Sequence, residues 1–310
     1  MSKPRIHILA LGGTIATRPD ASGAMQMGLG ADDLVAAVPL LGKIADIAAE
    51  TVSRVGSHSL SFDQIHALAA KIKSLKADGV IVTQGTDTLE ETTFLLDLLL
   101  DLDIPMIVTA AMRNPALTSP DGPGNLLAAV RVACDPWVRA HARALGVMAV
   151  MLDEVYAASD VLKVHPTRLN AFASPQTGPI AALVEDRVVP MALPVRDAIE
   201  GARKKLGNAA GTAQPVALFW LSLDDSGGVI EAMLGARDHL GYRGAVLAAL
   251  GGGPMLRQTY GGPSSEIALR KAGLIWGGRL HPLKARVLLE TGLRAGLGRD
   301  IITEVFDAFG

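Results

Sequence analysis

Short apolar runs alternate along the chain with longer segments in which apolar residues recur at helical spacing. This alternation is typical of βαβ units around a largely parallel sheet. The clearest helix is predicted over residues 62–77, because Ser61 and Gln64 form a capping-box pair directly before its apolar stripe. That stripe consists of Ile65, Leu68, Ala69, Ile72 and Leu75. We expect it to cover one face of the sheet.

Runs rich in Val, Ile and Leu predict the strands. In the first part of the chain the predicted strands are 5–11, 51–55, 80–83, 106–110 and 147–152. In the second part they are 179–184, 187–192, 216–221, 245–250 and 274–276. Further helices are predicted over 229–239, 265–272, 283–295 and 300–309. Strands and helices therefore alternate over nearly the whole chain.

A polar passage rich in Lys and Gly, residues 196–214, interrupts this pattern. At 310 residues the chain is also longer than most single domains. The sequence therefore predicts an α/β fold with a larger amino-terminal domain over 1–192, a linker over 193–214 and a smaller carboxy-terminal α/β domain over 215–310. The larger domain is predicted to hold a parallel sheet of the flavodoxin type.

Composition and charge narrow the range of functions. Hydrophobic residues make up 49% and charged residues 19% of the chain, which excludes a disordered protein. The most apolar stretch, 94–112, contains three aspartates and a proline, so we do not interpret it as a membrane span. The 29 basic and 31 acidic residues are evenly spread. We therefore expect a small-molecule substrate and neither a nucleic-acid nor a membrane partner.

A single cysteine and the first residues bear on the location of the protein. Cys134 lies among apolar residues of a predicted helix, so we interpret it as core packing rather than a catalytic thiol. The chain enters an apolar strand almost at once, and a glycine turn follows where a signal peptide would still be hydrophobic. These features predict a cytoplasmic protein.

Acidic residues and histidines fall at no recognisable metal-ligand spacing. We therefore expect no metal and no cofactor. His165, His239 and His281 are isolated in the sequence, and we interpret each as structural or as part of the surface.

Small polar residues directly follow several predicted strands, and ligands of open α/β sheets bind at those carboxyl ends. At Gly12-Gly13-Thr14 the glycines allow a tight turn that leaves the Thr14 hydroxyl projecting, although Thr14 is also suited to cap a helix. Thr86 and Asp87 follow another strand and combine a hydroxyl with a carboxylate. Such a pair can activate water, orient a nucleophile or bind an ammonium group, but Asp87 is equally suited to cap the next helix.

Two further places have the same character. Ser57 and His58 follow a predicted strand, and a hydroxyl with nearby backbone donors suits a carboxylate ligand, while a turn without a ligand is the alternative. Lys163 stands between apolar residues. Loss of solvent there would favour its neutral form and allow it to act as a base, whereas an exposed lysine is the alternative.

These elements occur in the order found in the bacterial-type asparaginase/glutaminase family, which the chain resembles over nearly its whole length. The matching segments are IHILALGGTIA (6–16), QGTDTLEET (84–92), AAMR (110–113), SPDGPGN (119–125), DVLK (160–163) and GRLHPLKARVLL (278–289). The Gly-Gly-Thr-Ile-Ala and Gly-Thr-Asp-Thr pair in this order is far more specific than a lone glycine motif.

The resemblance implies a covalent mechanism. Thr14 corresponds to the threonine that forms the acyl-enzyme, and Thr86, Asp87 and Lys163 correspond to a second Thr-Asp-Lys constellation. The residues agree with this, because a threonine hydroxyl is a weak nucleophile and needs a base, which a neutral Lys163 acting through Thr86 can supply. Backbone N–H groups at the Gly85-Thr86 turn suit the tetrahedral oxyanion.

The resemblance also implies a set of substrate-binding residues. Ser57, with His58 beside it, corresponds to the residue that grips the α-carboxylate of the substrate, and Asp87 also holds the α-ammonium group. Ala111 lies where a backbone group faces the scissile amide. Glu266 falls where a neighbouring subunit supplies a carboxylate. The resemblance accordingly implies a homodimer or homotetramer.

Three positions depart from the family pattern. The loop from Thr17 to Gly30 usually holds a tyrosine that helps to activate the first threonine, and Ala24 stands at the aligned place. His58 replaces a usual glutamine, and Gly252 replaces an asparagine found in many members. We therefore expect slow turnover, with Lys163 carrying a larger share of the proton transfer.

The resulting prediction is an amidohydrolase that converts L-asparagine to L-aspartate and ammonia. A glutaminase or glutaminase-asparaginase is one alternative, since the single methylene that separates the substrates is worth only ~1–3 kcal/mol in a pocket. A glutaminase that feeds ammonia to charged tRNA is opposed by the neutral charge balance. A catalytically weakened amino-acid-binding homologue is the non-enzymatic alternative.

Overall fold

The computed structural model describes residues 2–222, 224, 226–248 and 266–310. Two compact units divide the chain, Met1–Pro194 and Val195–Gly310. The strands of the first unit are β1 (Arg5–Gly12), β2 (Thr17–Pro19), β3 (Met25–Met27), β4 (Asp46–Val55), β5 (Gly79–Thr83), β6 (Met106–Thr109), β7 (Val147–Met151), β8 (Glu154–Ala157), β9 (Leu162–Lys163), β10 (Phe172–Ala173), β11 (Ala181–Val184) and β12 (Arg187–Pro190). Its helices are α1 (Ala31–Ala36), α2 (Leu41–Ile44), α3 (Phe62–Ser74), α4 (Leu89–Leu99), α5 (Gly122–Cys134), α6 (Pro136–Ala140) and α7 (Ala142–Leu145), and 3-10 turns occur at Thr14–Ala16 and Ser57–Ser59.

Eight of these strands form one sheet, in the order β12-β11-β8-β7-β6-β5-β1-β4. The strands from β4 to β7 in this order run parallel, whereas β8, β11 and β12 add antiparallel partners at the other end. Because β4 lies on one side of β1 and the later parallel strands lie on the other, the predicted flavodoxin-type order is confirmed. The carboxyl ends of β1 and β5 flank the point at which the strand order reverses, where α/β sheets bind ligands.

Helix α3 shows how local sequence defines an element of this unit. Ser61 Oγ accepts a hydrogen bond from the Gln64 N–H (3.2 Å), and Gln64 Oε1 accepts one from the Ser61 N–H (2.8 Å). The predicted capping box is therefore confirmed. The helix ends at Ser74, earlier than predicted, because Leu75 has an extended backbone. Its predicted stripe is buried over Ile65, Leu68, Ala69 and Ile72.

The second unit contains a parallel pair of strands, β13 (Val216–Trp220) and β14 (Gly244–Ala248). Its described helices are α8 (Asp197–Leu206), α9 (Gly228–Leu240), α10 (Glu266–Lys271), α11 (Pro282–Arg294) and α12 (Arg299–Asp307). Helix α11 packs on both strands. The predicted elements at 245–250 and 265–272 extend into positions outside the described residues.

Two sequence expectations for the second unit are wrong. The passage predicted as a linker contains α8, because Ile199, Ala202 and Leu206 lie at helical spacing and are buried within an otherwise polar segment. The predicted strand at 274–276 pairs with no strand that the structure describes. The Leu274 N–H instead donates to the carbonyl of Leu269 in α10, and the apolar character reflects the burial of Trp276.

None of the helices that the structure describes has the length and apolar character needed to cross a lipid bilayer.

Candidate active site

The turn that follows β1 lies directly against the loop that follows β5. Gly12 and Gly13 have φ angles of 113° and 84°, which L side chains rarely adopt. A Cβ built on Gly13 would lie only 2.1 Å from the backbone N of Gly85, so this approach requires glycine. The Gly13 N–H also donates to the carbonyl of Val55 at the end of β4, 3.1 Å away. The loops after β1, β4 and β5 therefore converge beside the point where the strand order reverses.

Thr14 opens the 3-10 turn that follows β1. Gly13 holds the N-cap position of that turn, so the interpretation of Thr14 as a helix cap is wrong. The carbonyl of Thr14 accepts a hydrogen bond from the Thr17 hydroxyl, 2.8 Å away. Ile15 and Ala16 are buried, whereas Thr14 is half-buried. The turn is thus anchored by its apolar residues while Thr14 stays partly accessible.

Lys163 joins a hydroxyl and a carboxylate from the loop after β5. Its Nζ donates to Thr86 Oγ1 at 2.8 Å and to Asp87 Oδ1 at 2.7 Å. The side chain of Lys163 is 13% exposed and that of Asp87 is 61% exposed. The interpretation of Lys163 as an exposed lysine is therefore wrong. Asp87 is not the cap of α4 either, because Thr88 holds the N-cap position.

Ser57 connects the loop after β4 to this constellation. It is buried, its Oγ accepts the N–H of Asp87 (3.1 Å), and its carbonyl accepts the hydroxyl of Thr88 (3.0 Å). The neighbouring His58 is exposed, and its ring packs over Gly56, where a built Cβ would lie 2.5 Å from the ring Cε1. Ser57 therefore lies beside Asp87 and Thr88, in the loop that also contains Thr86.

The backbone around Ala111, which follows β6, is held by two side chains from the start of α5. Asp121 accepts the backbone N–H groups of Met112 (2.9 Å) and Arg113 (2.8 Å). Asn125 donates from Nδ2 to the carbonyl of Ala110, 2.9 Å away. Neither Asp121 nor Asn125 is assigned a role from the sequence. Their spacing of one helical turn at a helix start, just after a polar loop, is the signal that was available.

The segment from Thr17 to Gly30, expected to be a mobile loop over the substrate, is largely a hairpin. β2 and β3 pair in antiparallel register, and Asp20 closes the turn between them by accepting hydrogen bonds from Ser22 and Ala24. The side-chain hydrogen bond from Ser22 is the main reason that the pKa of Asp20 is lowered. Ala24, which stands where the family has a tyrosine, is exposed in this turn.

Two sequence candidates belong to the second unit. Glu266 is the first residue of α10, but its side chain lies outside the described part of the structure. Gly252 also lies outside the described residues.

Cys134 and His281, each isolated in the sequence, lie in partly buried surroundings and have structural roles. Burial raises the pKa of the Cys134 thiol to about 11, so it is not a reactive thiolate, as the sequence interpretation expects. Burial lowers the pKa of His281 to about 4, and its ring caps α11 by accepting the N–H of Leu283. Among the described residues no cluster of three or more His, Cys, Asp and Glu side chains is arranged to hold a metal ion.

The fold and the site together define the class of protein. At the carboxyl edge of a flavodoxin-type sheet, the glycine turn that carries Thr14 lies against the loop in which Thr86 and Asp87 accept hydrogen bonds from Lys163. Hydroxyl, amine and carboxylate groups in contact are the groups required for acyl transfer by a hydroxyl nucleophile. The class is thus an α/β hydrolase that works through a threonine.

Comparison with known proteins identifies the family. The family described as "Asparaginase, N-terminal" matches residues 5–194. "Probable L-asparaginase periplasmic" of Haemophilus influenzae is 31% identical over 337 residues, which cover 99% of this chain and 93% of that protein. "Glutaminase-asparaginase" of Pseudomonas fluorescens biotype A is 36% identical over 199 residues, covering 62% and 54%.

A solved structure agrees with this result. The crystal structure of a probable cytoplasmic L-asparaginase from Campylobacter jejuni superposes with a TM-score of 0.81 at 29% identity, covering 98% of this chain and 99% of that one. The chain belongs to the asparaginase family, and the family resemblance stated from the sequence motifs is confirmed.

Proposed function

We propose that this chain hydrolyses the side-chain amide of L-asparagine to L-aspartate and ammonia, with Thr14 as the nucleophile. The observation that carries the proposal is the pair of hydrogen bonds from Lys163 to Thr86 and Asp87. The close contact between Gly13 and Gly85 places the turn of Thr14 next to the same loop. Amide hydrolysis needs a nucleophile, a proton acceptor and donors for an oxyanion, and these loops hold candidates for all of them.

The reaction proceeds in two steps. Thr14 Oγ attacks the amide carbonyl carbon while its proton passes through the Thr86 hydroxyl to Lys163 Nζ. The C–N bond then breaks, the nitrogen takes up the proton and leaves as ammonia, and an ester remains on Thr14. In the second step water attacks the ester carbonyl, the Thr14 oxygen regains a proton, and L-aspartate leaves.

The backbone near the reacting carbonyl supplies the oxyanion donors. The N–H groups of the Gly85-Thr86 turn are suited to this role, because the close approach to Gly13 keeps bulky side chains away. The backbone of Ala111 faces the amide of the substrate. The hydrogen bonds of Asp121 and Asn125 support this assignment, since they hold the backbone on both sides of Ala111.

The charged groups of the amino acid bind between the loops after β4 and β5. Ser57 Oγ accepts the Asp87 N–H and donates to no residue that the structure describes, so its proton can serve the α-carboxylate. His58 lies beside it as a second partner. The accessible carboxylate of Asp87 binds the α-ammonium group.

The proposal is tested by direct measurement of ammonia release from the purified chain with L-asparagine, with L-glutamine and with neither. Release from asparagine supports it. The relative named glutaminase-asparaginase favours glutamine as a second candidate substrate, which the second arm of the assay tests. Binding of either amino acid without ammonia release would indicate the weakened binding protein and overturn the proposal.

We further propose that the enzyme is a homodimer or homotetramer in which Glu266 completes a site of the neighbouring subunit. The family resemblance supports this. Mixing inactive Thr14→Ala chains with inactive Glu266→Ala chains should then restore activity in hybrid assemblies. No recovery despite demonstrated subunit exchange would mean that Glu266 serves its own chain or no site.

We propose the cytoplasm as the location of the enzyme. The name of the Campylobacter jejuni neighbour supports this, whereas the Haemophilus influenzae relative is named as periplasmic. Fractionation of the native host, with marker enzymes for both compartments, distinguishes the two outcomes.

A further inference from the structure

A buried carboxylate outside the reacting constellation links Lys163 to α4. Glu90 lies in the first turn of α4 and is only 4% exposed. Its Oε2 accepts a short hydrogen bond from the backbone N–H of Lys163. The contact therefore joins the strand that carries the lysine to the helix that directly follows Thr86 and Asp87.

The strand that carries Lys163 has little other support from a sheet. β9 contains two residues, and among the described strands it pairs only with the equally short β10, outside the eight-stranded sheet. The ladder continues with one bond from the Val164 N–H to the carbonyl of Ala171 (2.7 Å). A pair of strands this short is marginal by itself, so side-chain contacts must help to define its position.

We propose that Glu90 is a positioning residue for Lys163. By accepting the backbone N–H it holds the lysine at the base of its side chain, and Nζ then meets Thr86 at 2.8 Å and Asp87 at 2.7 Å. A lysine side chain has four flexible methylenes, so an unanchored backbone would spread Nζ over many positions. The inference rests on the proposed role of Lys163 in proton transfer and adds the group on which that role depends.

Two substitutions of Glu90 with side chains of similar size distinguish the effect of its hydrogen bond to Lys163 from the effect of the space it fills. Glu90→Gln keeps an oxygen that can accept the Lys163 N–H, whereas Glu90→Met removes the acceptor and keeps the length of the side chain. We expect Glu90→Met to lower kcat by about 10- to 100-fold, the range for a misplaced catalytic group, with KM changed by less than about 3-fold. Glu90→Gln should stay within about 3-fold of the parent in both parameters.

Asp97 provides a matched control on the same helix. It is buried about two turns further along α4 and accepts the backbone N–H of Val147 at the start of β7, 3.0 Å away. Asp97→Leu also leaves a strand N–H without this acceptor, but at the amino end of its strand, away from the site. It should lower Tm about as much as Glu90→Met and leave kcat within about 2-fold of the parent. An equal loss of kcat in both variants would overturn the positioning role.

A double-mutant cycle with Lys163→Met tests whether Glu90 acts through the lysine. If it does, Glu90→Met should reduce kcat no further once the Lys163 amine is absent. A full additional loss would overturn the inference. If Lys163→Met leaves kcat unchanged, the proposed proton transfer through Lys163 is wrong, and so is this inference. If Lys163→Met lowers kcat and Glu90→Met does not, this inference alone is wrong.

Should Glu90→Met fail to fold, Glu90→Asp takes its place in the same measurements. It keeps the carboxylate but shortens the side chain by one methylene, so the anchor is displaced without loss of charge. A lowered kcat with a nearly unchanged KM supports the positioning role, and a parental kcat overturns it.

Discussion

The backbone of Gly13 lies directly against the backbone of Gly85. A Cβ on Gly13 would lie 2.1 Å from the N and 2.2 Å from the Cα of Gly85. The two glycines follow β1 and β5, which are neighbouring parallel strands in the sheet. Their contact therefore sets how closely the turn of Thr14 approaches the loop that contains Thr86.

Gly13→Ala should force these loops apart. Since the φ of Gly13 is 84° and backbone atoms occupy the space of a Cβ, the variant should lose about 1–3 kcal/mol of stability from strain, and more from the clash. Turnover should fall by at least about 10-fold, because the reacting groups are displaced. The measurements are urea unfolding and ammonia release.

Gly178→Ala is the control for this substitution. Gly178 has a φ of 73°, but a Cβ there would meet nothing within 4 Å. It should cost similar backbone strain and leave turnover unchanged. Equal losses of turnover in both variants would show that the Gly13 contact has no special role.

Thr14→Ala should leave folding intact and remove most turnover, because the covalent route disappears while the binding groups stay. Mass spectrometry of the parent enzyme, quenched during turnover, should detect an acyl adduct on Thr14. If the variant keeps more than about a tenth of the parental activity, a loss below about 1.4 kcal/mol in transition-state stabilisation, Thr14 is not the nucleophile.

Lys163→Met and Asp87→Asn should differ in their effects. Lys163→Met removes a proton acceptor but no proposed substrate ligand, so kcat should fall much more than the affinity for substrate. Asp87→Asn removes the partner of the α-ammonium group as well and should harm both. Steady-state kinetics combined with isothermal titration of the slow variants separates binding from chemistry. Equal losses confined to binding in both variants would contradict this division of roles.

Ala24→Tyr should raise turnover. Ala24 is exposed in the hairpin turn, so a larger side chain there fits without disturbing the core. If the new hydroxyl reaches Thr14 as the family pattern implies, the gain should be at most the ~10²- to 10⁴-fold typical of general-base help. Ala24→Phe lacks the hydroxyl and is the control. Equal rates for the two variants would mean that the enzyme does not lack a base.

His281 should make the protein less stable in mild acid. Its pKa is lowered from 6.5 to about 4 in the folded chain, chiefly by burial. As the pH falls through this window the unfolded chain binds a proton before the folded chain does, so stability is full above pH 6.5 and is lost towards pH 4. Protonation also removes the Nδ1 acceptor that caps α11.

The check is a series of Tm measurements between neutral pH and about pH 4.5, compared with the variant His281→Asn. Asparagine keeps a capping acceptor and does not titrate, so its Tm should fall less steeply with acid. Parallel Tm curves for the two proteins would exclude His281 as the source of acid sensitivity.

Much of the fold follows from local patterns. The apolar runs that became β1 and β5, and the capping box at Ser61, depend on residues within a few positions of one another. The glycine pair at 12–13 is similar, because φ angles of 113° and 84° strongly favour glycine, which has no Cβ. The motif order indicated the family for the same reason, since each motif is a short contiguous segment.

Local patterns are less informative where burial depends on a distant partner. Helix α8 was not predicted, because only three of its residues are buried and the surrounding sequence is polar. The apolar segment at 274–276 owes its character to the burial of Trp276 and not to strand pairing. Asp121 and Asn125 can hold the backbone after β6 only because the start of α5 lies beside the end of that strand.

The sequence by itself determined which residues could react: a threonine after a glycine turn, a Thr-Asp pair and a lysine between apolar residues. Only the tertiary structure decided that the lysine contacts the Thr-Asp pair and that the glycine turn lies against their loop. The strand order places β1 beside β5, which brings Gly13 against Gly85, and the hydrogen bond to Glu90 ties β9 to α4. Hydrophobic periodicity reports that a residue is buried, whereas the identity of its neighbours depends on how strands far apart in the chain pack together.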